Sequence, residues 1–385
     1  MTQPPNGWGN QPLPPPPENG WQGQQPGQQP PVQSPPSWGP QYQQQFTPPP
    51  PPKNNRALKW ALGGTALIAV IAITAVVTMS LGGGDKEKGD GSGPTPTAGS
   101  GSNSEFASAN DTGPVTIITE DPSCAAWTPI INTMIDSSHG WAERDPSIPA
   151  SVWSPDLRAL YQRAGSALEA AADQTVPLVK LTPHRVMREV YEQFIAYARA
   201  FADRIPTYAP SDNALDLTAR TATNIVTRVC QAITSGSAAA RAPLVQAGDP
   251  PSQVAAVGDP ANPERFLTSP NDVCREWQSA AAQFLTDIDA WRHTDSNVPA
   301  GQWGPEQRAL SDQIAPILKT SADTMVQLGG RSGNPIWNDF AELAAQYRRA
   351  YAQALPTYTQ ADVNLYYVGL YPAGVIRGAC DAAAG

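Results

Sequence analysis

Three kinds of hydrophobic patterning follow one another along the chain. Residues 1–56 carry no periodic apolar signal and are almost all Pro, Gln, Gly, Asn and Ser. Such a stretch buries too little apolar surface to offset the entropy of ordering. It predicts a disordered tail, with polyproline II character at Pro14–Pro17 and Pro48–Pro52. Over 57–82 the pattern turns continuously apolar: Trp60–Leu81, "WALGGTALIAVIAITAVVTMSL", runs 22 residues without a charge. At roughly 1.5 Å per residue that is enough for about 30 Å of hydrocarbon, so a transmembrane helix is expected over 57–82. It begins too far in, and runs too long, for a cleaved signal peptide. Residues 83–113 are rich in Gly, Ser and Thr and read as a flexible tether.

Beyond the tether, apolar side chains recur at steps of three and four. Leu157, Leu160, Tyr161, Ala164, Leu168 and Ala171 share one helical face, and Met187, Val190, Phe194, Ala198, Phe201 and Ile205 another. Leu310, Ile314, Ile317, Met325 and Leu328, then Trp337, Phe340, Ala344, Tyr347, Tyr351 and Leu355, repeat the scheme. One phrase also occurs twice, 150 positions apart: "WSPDLRAL" from Trp153 and "WGPEQRAL" from Trp303. Its parts are those of a helix start. Ser154 or Gly304 is the cap, Pro155 or Pro305 the first helical residue, and Asp156 or Glu306 suits the positive end of the helix dipole.

The repeat extends well past this phrase. Residues 124–230 lie over 274–380 without a gap, with about a quarter of positions identical. Cys124 meets Cys274, Trp127 meets Trp277, Trp141 meets Trp291, and "PTY" at Pro206 meets "PTY" at Pro356. The chain holds a tandem duplication. The expected fold is all-α: two disulfide-closed bundles of about four helices each. Copy 1 spans 114–233 and copy 2 spans 273–385, with a Pro/Gly-rich linker over 234–272 that packs partly between them. The copy 1 helices are expected near 123–142, 155–178, 185–205 and 211–232. In an up-down bundle the first helix begins where the fourth ends. The duplication therefore favours Cys124 with Cys230 and Cys274 with Cys380, against two other pairings. Such bridges belong to an oxidising compartment.

Charge narrows the partners. Acidic residues outnumber basic ones, 34 to 25. Lys53, Arg56 and Lys59 all precede the apolar span, so the part beyond it is more acidic still. Nucleic acid is not expected as a partner. The same three cations put the N-terminus in the cytoplasm and the C-terminal part outside the plasma membrane.

Candidate chemistry is sparse. His139, His184 and His293 show no ligand spacing, and the cysteines are committed to bridges, so neither a metal nor a cofactor is expected. No nucleophile motif occurs, and "GGRSG" at Gly329–Gly333 reads as a turn. Asp145 and Asp295 sit in Pro-containing turns as backbone caps. Asp173 and Asp323 lie late in the second helix of each copy. Glu192 and Glu342 share a helix face with Arg199 and Arg349, which reads as solvated or bridging ion pairs. No catalytic residue emerges, and an enzyme is not expected. Copy 2 carries an aromatic surplus: Tyr366, Tyr367 and Tyr371, with Tyr358 and Trp337, would form a groove for a lipid, glycan or peptide if they are not core.

The layout resembles the single-pass envelope proteins of mycobacteria and related actinobacteria. The shared features are the Pro/Gln-rich head, the cation-flanked anchor "KNNRALKWALGG" and the Gly/Ser/Thr tether. The resemblance implies a cell-envelope location and carries no catalytic residues. The expected function is a non-enzymatic, membrane-anchored scaffold that docks an envelope protein outside. Its tail, with Trp8, Trp21 and Trp38 among prolines, would recruit a cytoplasmic partner. The alternative is a lipid or glycan carrier using the copy 2 aromatics.

Overall fold

The structure, a computed structural model, describes residues 105–385. The disordered tail expected over 1–56, the transmembrane helix over 57–82 and the tether up to residue 104 lie outside the described residues. No helix among the described residues is long and apolar enough to cross a membrane.

Local signals place the helices. Copy 1 contains α1 (Cys124–Ser137), α2 (Pro155–Leu181), α3 (Arg185–Arg204) and α4 (Asn213–Thr234), then the short α5 (Ser237–Arg241). Copy 2 contains α6 (Cys274–Asp287), the single turn α7 (Asp289–Arg292), α8 (Pro305–Arg331), α9 (Pro335–Ala354) and α10 (Val363–Ala384). No strand occurs among the described residues. Ser154 caps α2 by accepting a bond from the Leu157 amide at 3.2 Å, with Pro155 first in the helix. α1 stops at Ser137, short of the expected residue 142; Gly140 follows at φ 78°, a left-handed conformation no helix continues through. α2 outlasts its expected end at 178 because Leu178 and Val179 are buried and hold the last turn.

The duplicated phrases turn out to be parts of one clamp. The Trp153 ring stacks on Tyr161 at 4.0 Å, and its indole donates to the Ile148 carbonyl at 2.8 Å. The Tyr208 hydroxyl of the first "PTY" donates to the Pro146 carbonyl at 2.7 Å. Trp303 donates to Val298 at 2.8 Å and Tyr358 to Ser296 at 2.7 Å in copy 2. Together the two phrases fasten the connection between the first and second helices. At the other end, Cys124 bonds Cys230 and Cys274 bonds Cys380, each across 106 residues of sequence.

The copies join as one unit over 101–385. α4 packs along α10, its own equivalent, and α3 touches α9, again its equivalent. Pairing of like with like is the signature of an approximate twofold relation. Small residues let the central helices approach: a Cβ on Gly378 would lie 2.3 Å from the Thr218 hydroxyl oxygen, and one on Gly374 3.2 Å from the Thr221 methyl.

The segments leading into the two copies are exchanged. Ile118, before α1, donates its amide to the Tyr347 hydroxyl of copy 2 at 3.2 Å. Tyr197 of copy 1, the equivalent of Tyr347, donates to the Leu267 carbonyl before α6 at 3.4 Å. Gln193 holds the second segment as well, donating to Glu264 at 3.0 Å and accepting from the Phe266 amide at 2.9 Å. Val115, Ile117, Ile118 and Leu267 are all buried. Residues 105–113, expected as tether, are held to the fold instead. Ala107 donates to the Lys180 carbonyl at 2.9 Å, and Asp111 and Gly113 supply oxygens to Arg185.

Candidate functional site

The α3 sequence "RVMREVYEQF" places Arg185, Arg188, Glu189 and Glu192 on the face turned towards copy 2, where all four are buried. Arg185 reaches across and holds Asp339 of α9 with two bonds, 2.6 Å and 3.1 Å. It also donates to the Asp111 carbonyl at 2.6 Å. Asp339 occupies in copy 2 the position Glu189 occupies in copy 1, so the twofold relation brings two carboxyl groups together. Burial first, then the charge of Asp339, pushes the Glu189 carboxyl well above its usual value. Arg188 lies 3.6 Å from Glu189 and 3.9 Å from Glu192. Burial lifts Glu192 to about 7 against the partial opposition of Arg188. Glu192 is therefore not on a solvated face, as expected from its spacing. Arg199 and Arg349 pair with Asp173 and Asp323 instead, at 2.7 Å and 2.8 Å.

The side chains of this cluster are buried, and its Arg185–Asp339 pair joins the two copies. Asp145 and Asp295 each accept a backbone amide two residues on, at 2.9 Å. Among the described residues no three His, Cys, Asp or Glu side chains form a group able to hold a metal.

Four of the five expected aromatic residues belong to one continuous row. Tyr358 meets Tyr351 at 6.1 Å, Tyr351 meets Tyr366 at 5.3 Å, Tyr366 meets Tyr367 at 5.2 Å, and Tyr367 stacks on Tyr371 at 5.5 Å. The row climbs from the buried Tyr358 to the half-buried Tyr366, Tyr367 and Tyr371. The Arg228 guanidinium of copy 1 covers Tyr367 at 4.3 Å. Trp337 stands apart, fully buried against Trp277 at 5.5 Å. Trp337 and Tyr358 are interior residues, so no groove is lined by all five. Two surface clefts lie elsewhere. One, of about 300 Å³, is bounded by Trp153, Arg158, Glu169 and Pro206. The other, of about 500 Å³, lies between Leu244–Asp249 and Lys319, Asp323 and Arg349.

The whole folded part, residues 106–385, matches the pattern of a family described as Mycobacterial ESX-1 associated protein. The chain belongs to that family. It is also 46% identical over 333 residues to an uncharacterised protein of Mycolicibacterium smegmatis (strain MKD8), covering 86% of this chain and 88% of that one. That alignment is longer than the folded part, so it takes in some of the sequence before it. No solved structure matches the chain. The resemblance to mycobacterial proteins thus extends over the sequence of residues 106–385.

Buried residues that the sequence did not single out include Arg185 and Arg348. Arg185 has Pro335 as its repeat counterpart, and Arg348 has Ala198, so the repeat itself did not mark them. The available signal was an arginine interrupting the apolar stripe of α9: Arg348 is 2% exposed.

Proposed function

We propose that the chain is a non-catalytic, membrane-tethered docking protein that works with the ESX-1 secretion apparatus from the outer side of the plasma membrane. The observation that carries this reading is the family match across the entire folded part. The geometry supports it. The two most buried acids, Glu189 and Asp339, lie in the joint between the copies, as befits a rigid platform and not an open reaction site. The large apolar side chains that stay exposed among the described residues are Ile135, Val152, Leu181 and Leu217, all in copy 1, and Leu244 and Val257 in the connection. Copy 1 and the connection, and not copy 2, carry the exposed large apolar side chains that a protein partner would cover. The apolar run at 57–82 supplies the anchor, and the two disulfides support an oxidising location.

The test is purification of the full-length protein in mild detergent from cross-linked mycobacterial membranes, with quantitative mass spectrometry. Secretion-apparatus components should co-elute in fixed ratio, and Ile135→Asp with Val152→Asp should reduce their recovery. Elution of the wild type without any of them would overturn the reading.

A further inference from the structure

Three arginines of the fold are almost sealed from water: Arg185, Arg188 and Arg348. The first two have carboxylate partners. Arg348 has none. Its Nε donates to the Gly369 carbonyl at 2.8 Å, and its Nη1 to the Ser321 hydroxyl. Its guanidinium carbon lies 4.0 Å from the centre of the Phe284 ring. Its Nη2 is buried without a hydrogen-bond partner. An uncompensated charge in a low-dielectric interior is among the most unfavourable arrangements a fold can hold, and a buried unmatched donor demands an explanation.

Comparison of the copies shows that the arrangement is specific to copy 2. The copy 1 counterparts of Arg348, Ser321, Gly369 and Phe284 are Ala198, Ala171, Ala219 and Met134. An aliphatic core has become a cation with a hydroxyl, a carbonyl and an aromatic face around it. Gly369 is part of the same change, since a Cβ there would lie 3.0 Å from the Arg348 Cγ and 3.1 Å from its amide nitrogen. The acid that copy 1 buries on its fourth helix, Asp216, is Tyr366 in copy 2. Copy 2 has gained a cation here and has no acid at the position where copy 1 buries one.

We propose that copy 2 binds a small monovalent anion at the Nη2 of Arg348, among α6, α8, α9 and α10. The anion supplies the missing counter-charge, and it is either a free halide or the carboxylate end of an organic acid. The rings Tyr351, Tyr366, Tyr367 and Tyr371 run in contact to the half-buried face of α10, and an acid's chain would pack against them. Burial pulls the Arg348 pKa down to about 9, which still leaves it cationic at neutral pH. The site does not depend on the docking role.

The experiment is thermal unfolding of the full-length protein in detergent. Chloride, acetate or octanoate replaces a bulky sulfonate buffer anion, which is neither halide nor carboxylate, at constant ionic strength. A bound anion gives a saturable rise of the midpoint, roughly 2–4 °C for each ~1 kcal/mol of linkage. The rise should vanish in Arg348→Met and weaken in Ser321→Ala. Chloride alone acting identifies a halide; octanoate acting at lower concentration than acetate identifies an acid with an apolar chain. Parallel rises in wild type and both variants, or none in wild type, overturn the proposal. Should Arg348→Met fail to fold, the chlorine-35 linewidth of chloride with wild type decides the halide arm. Excess broadening relieved by octanoate supports the site, and broadening no greater than with Ser321→Ala counts against it.

Discussion

Arg185 and Asp339 face each other across the boundary between the copies, with side chains only 2% and 1% exposed. Neither is replaceable alone. Asp339→Asn leaves a buried guanidinium short of its counter-charge and should destabilise the protein by about 3–5 kcal/mol in denaturant titration. Replacing both with apolar residues of similar volume should recover much of that loss. Glu192 sets a pH dependence with a definite sign. Its native value near 7 exceeds the ordinary 4.5, so the folded state holds the proton more tightly than the unfolded one. Stability is then greatest below the unfolded value and is lost as pH rises through the folded value. The difference is roughly 3 kcal/mol. Glu189, raised by burial, acts in the same direction. Unfolding midpoints should climb from about pH 8 to about pH 5, and Glu192→Gln should flatten the profile. A midpoint that falls over that interval would contradict the assignment.

At the scale of the helices, the start of α2 was legible because its determinants are local: a cap, a proline and an acid within four residues. The bridge of Cys124 to Cys230 was legible because the duplication places each cysteine at a bundle end. The joint between the copies was not legible. Periodicity shows that a face is buried but not what buries it, and several residues forming the joint are ones in which the copies differ. Arg185 aligns with Pro335, Gln193 with Leu343, and Gly378 with Arg228. The aromatic row was half legible. The tyrosines of α10 were visible as a surplus over copy 1, whereas Tyr351, which links them to Tyr358, counted only as one more apolar position. Two element-level outcomes follow. Gly378→Leu drives a side chain into Thr218 and should loosen α4 from α10, seen as faster proteolysis of the connection over 245–263. Replacing Cys274 and Cys380 with alanine should cost up to ~4.7 kcal/mol in the chain-entropy model, measured against the same titration of wild type.

As a whole molecule the duplicated part is a joined pair and not two beads on a string. Val257 lies exposed in the connection. A single protease cut there should leave both halves together on gel filtration under native conditions; their separation would show that the chain, and not the α4–α10 contact, holds the pair. In intact spheroplasts, added protease should reach the residues beyond 105 and spare the tail, and the opposite pattern would reverse the proposed orientation.

The exchanged lead-in segments have a mechanical meaning. Tension applied to the chain at residue 105 does not load copy 1 alone. It passes through Asp111 and Gly113 to Arg185, whose guanidinium grips Asp339 of copy 2, and through Ile118 to Tyr347 of the same copy. A pull on the N-terminal side is thus shared by both bundles at their common seam. The unit should resist as one body until that seam yields.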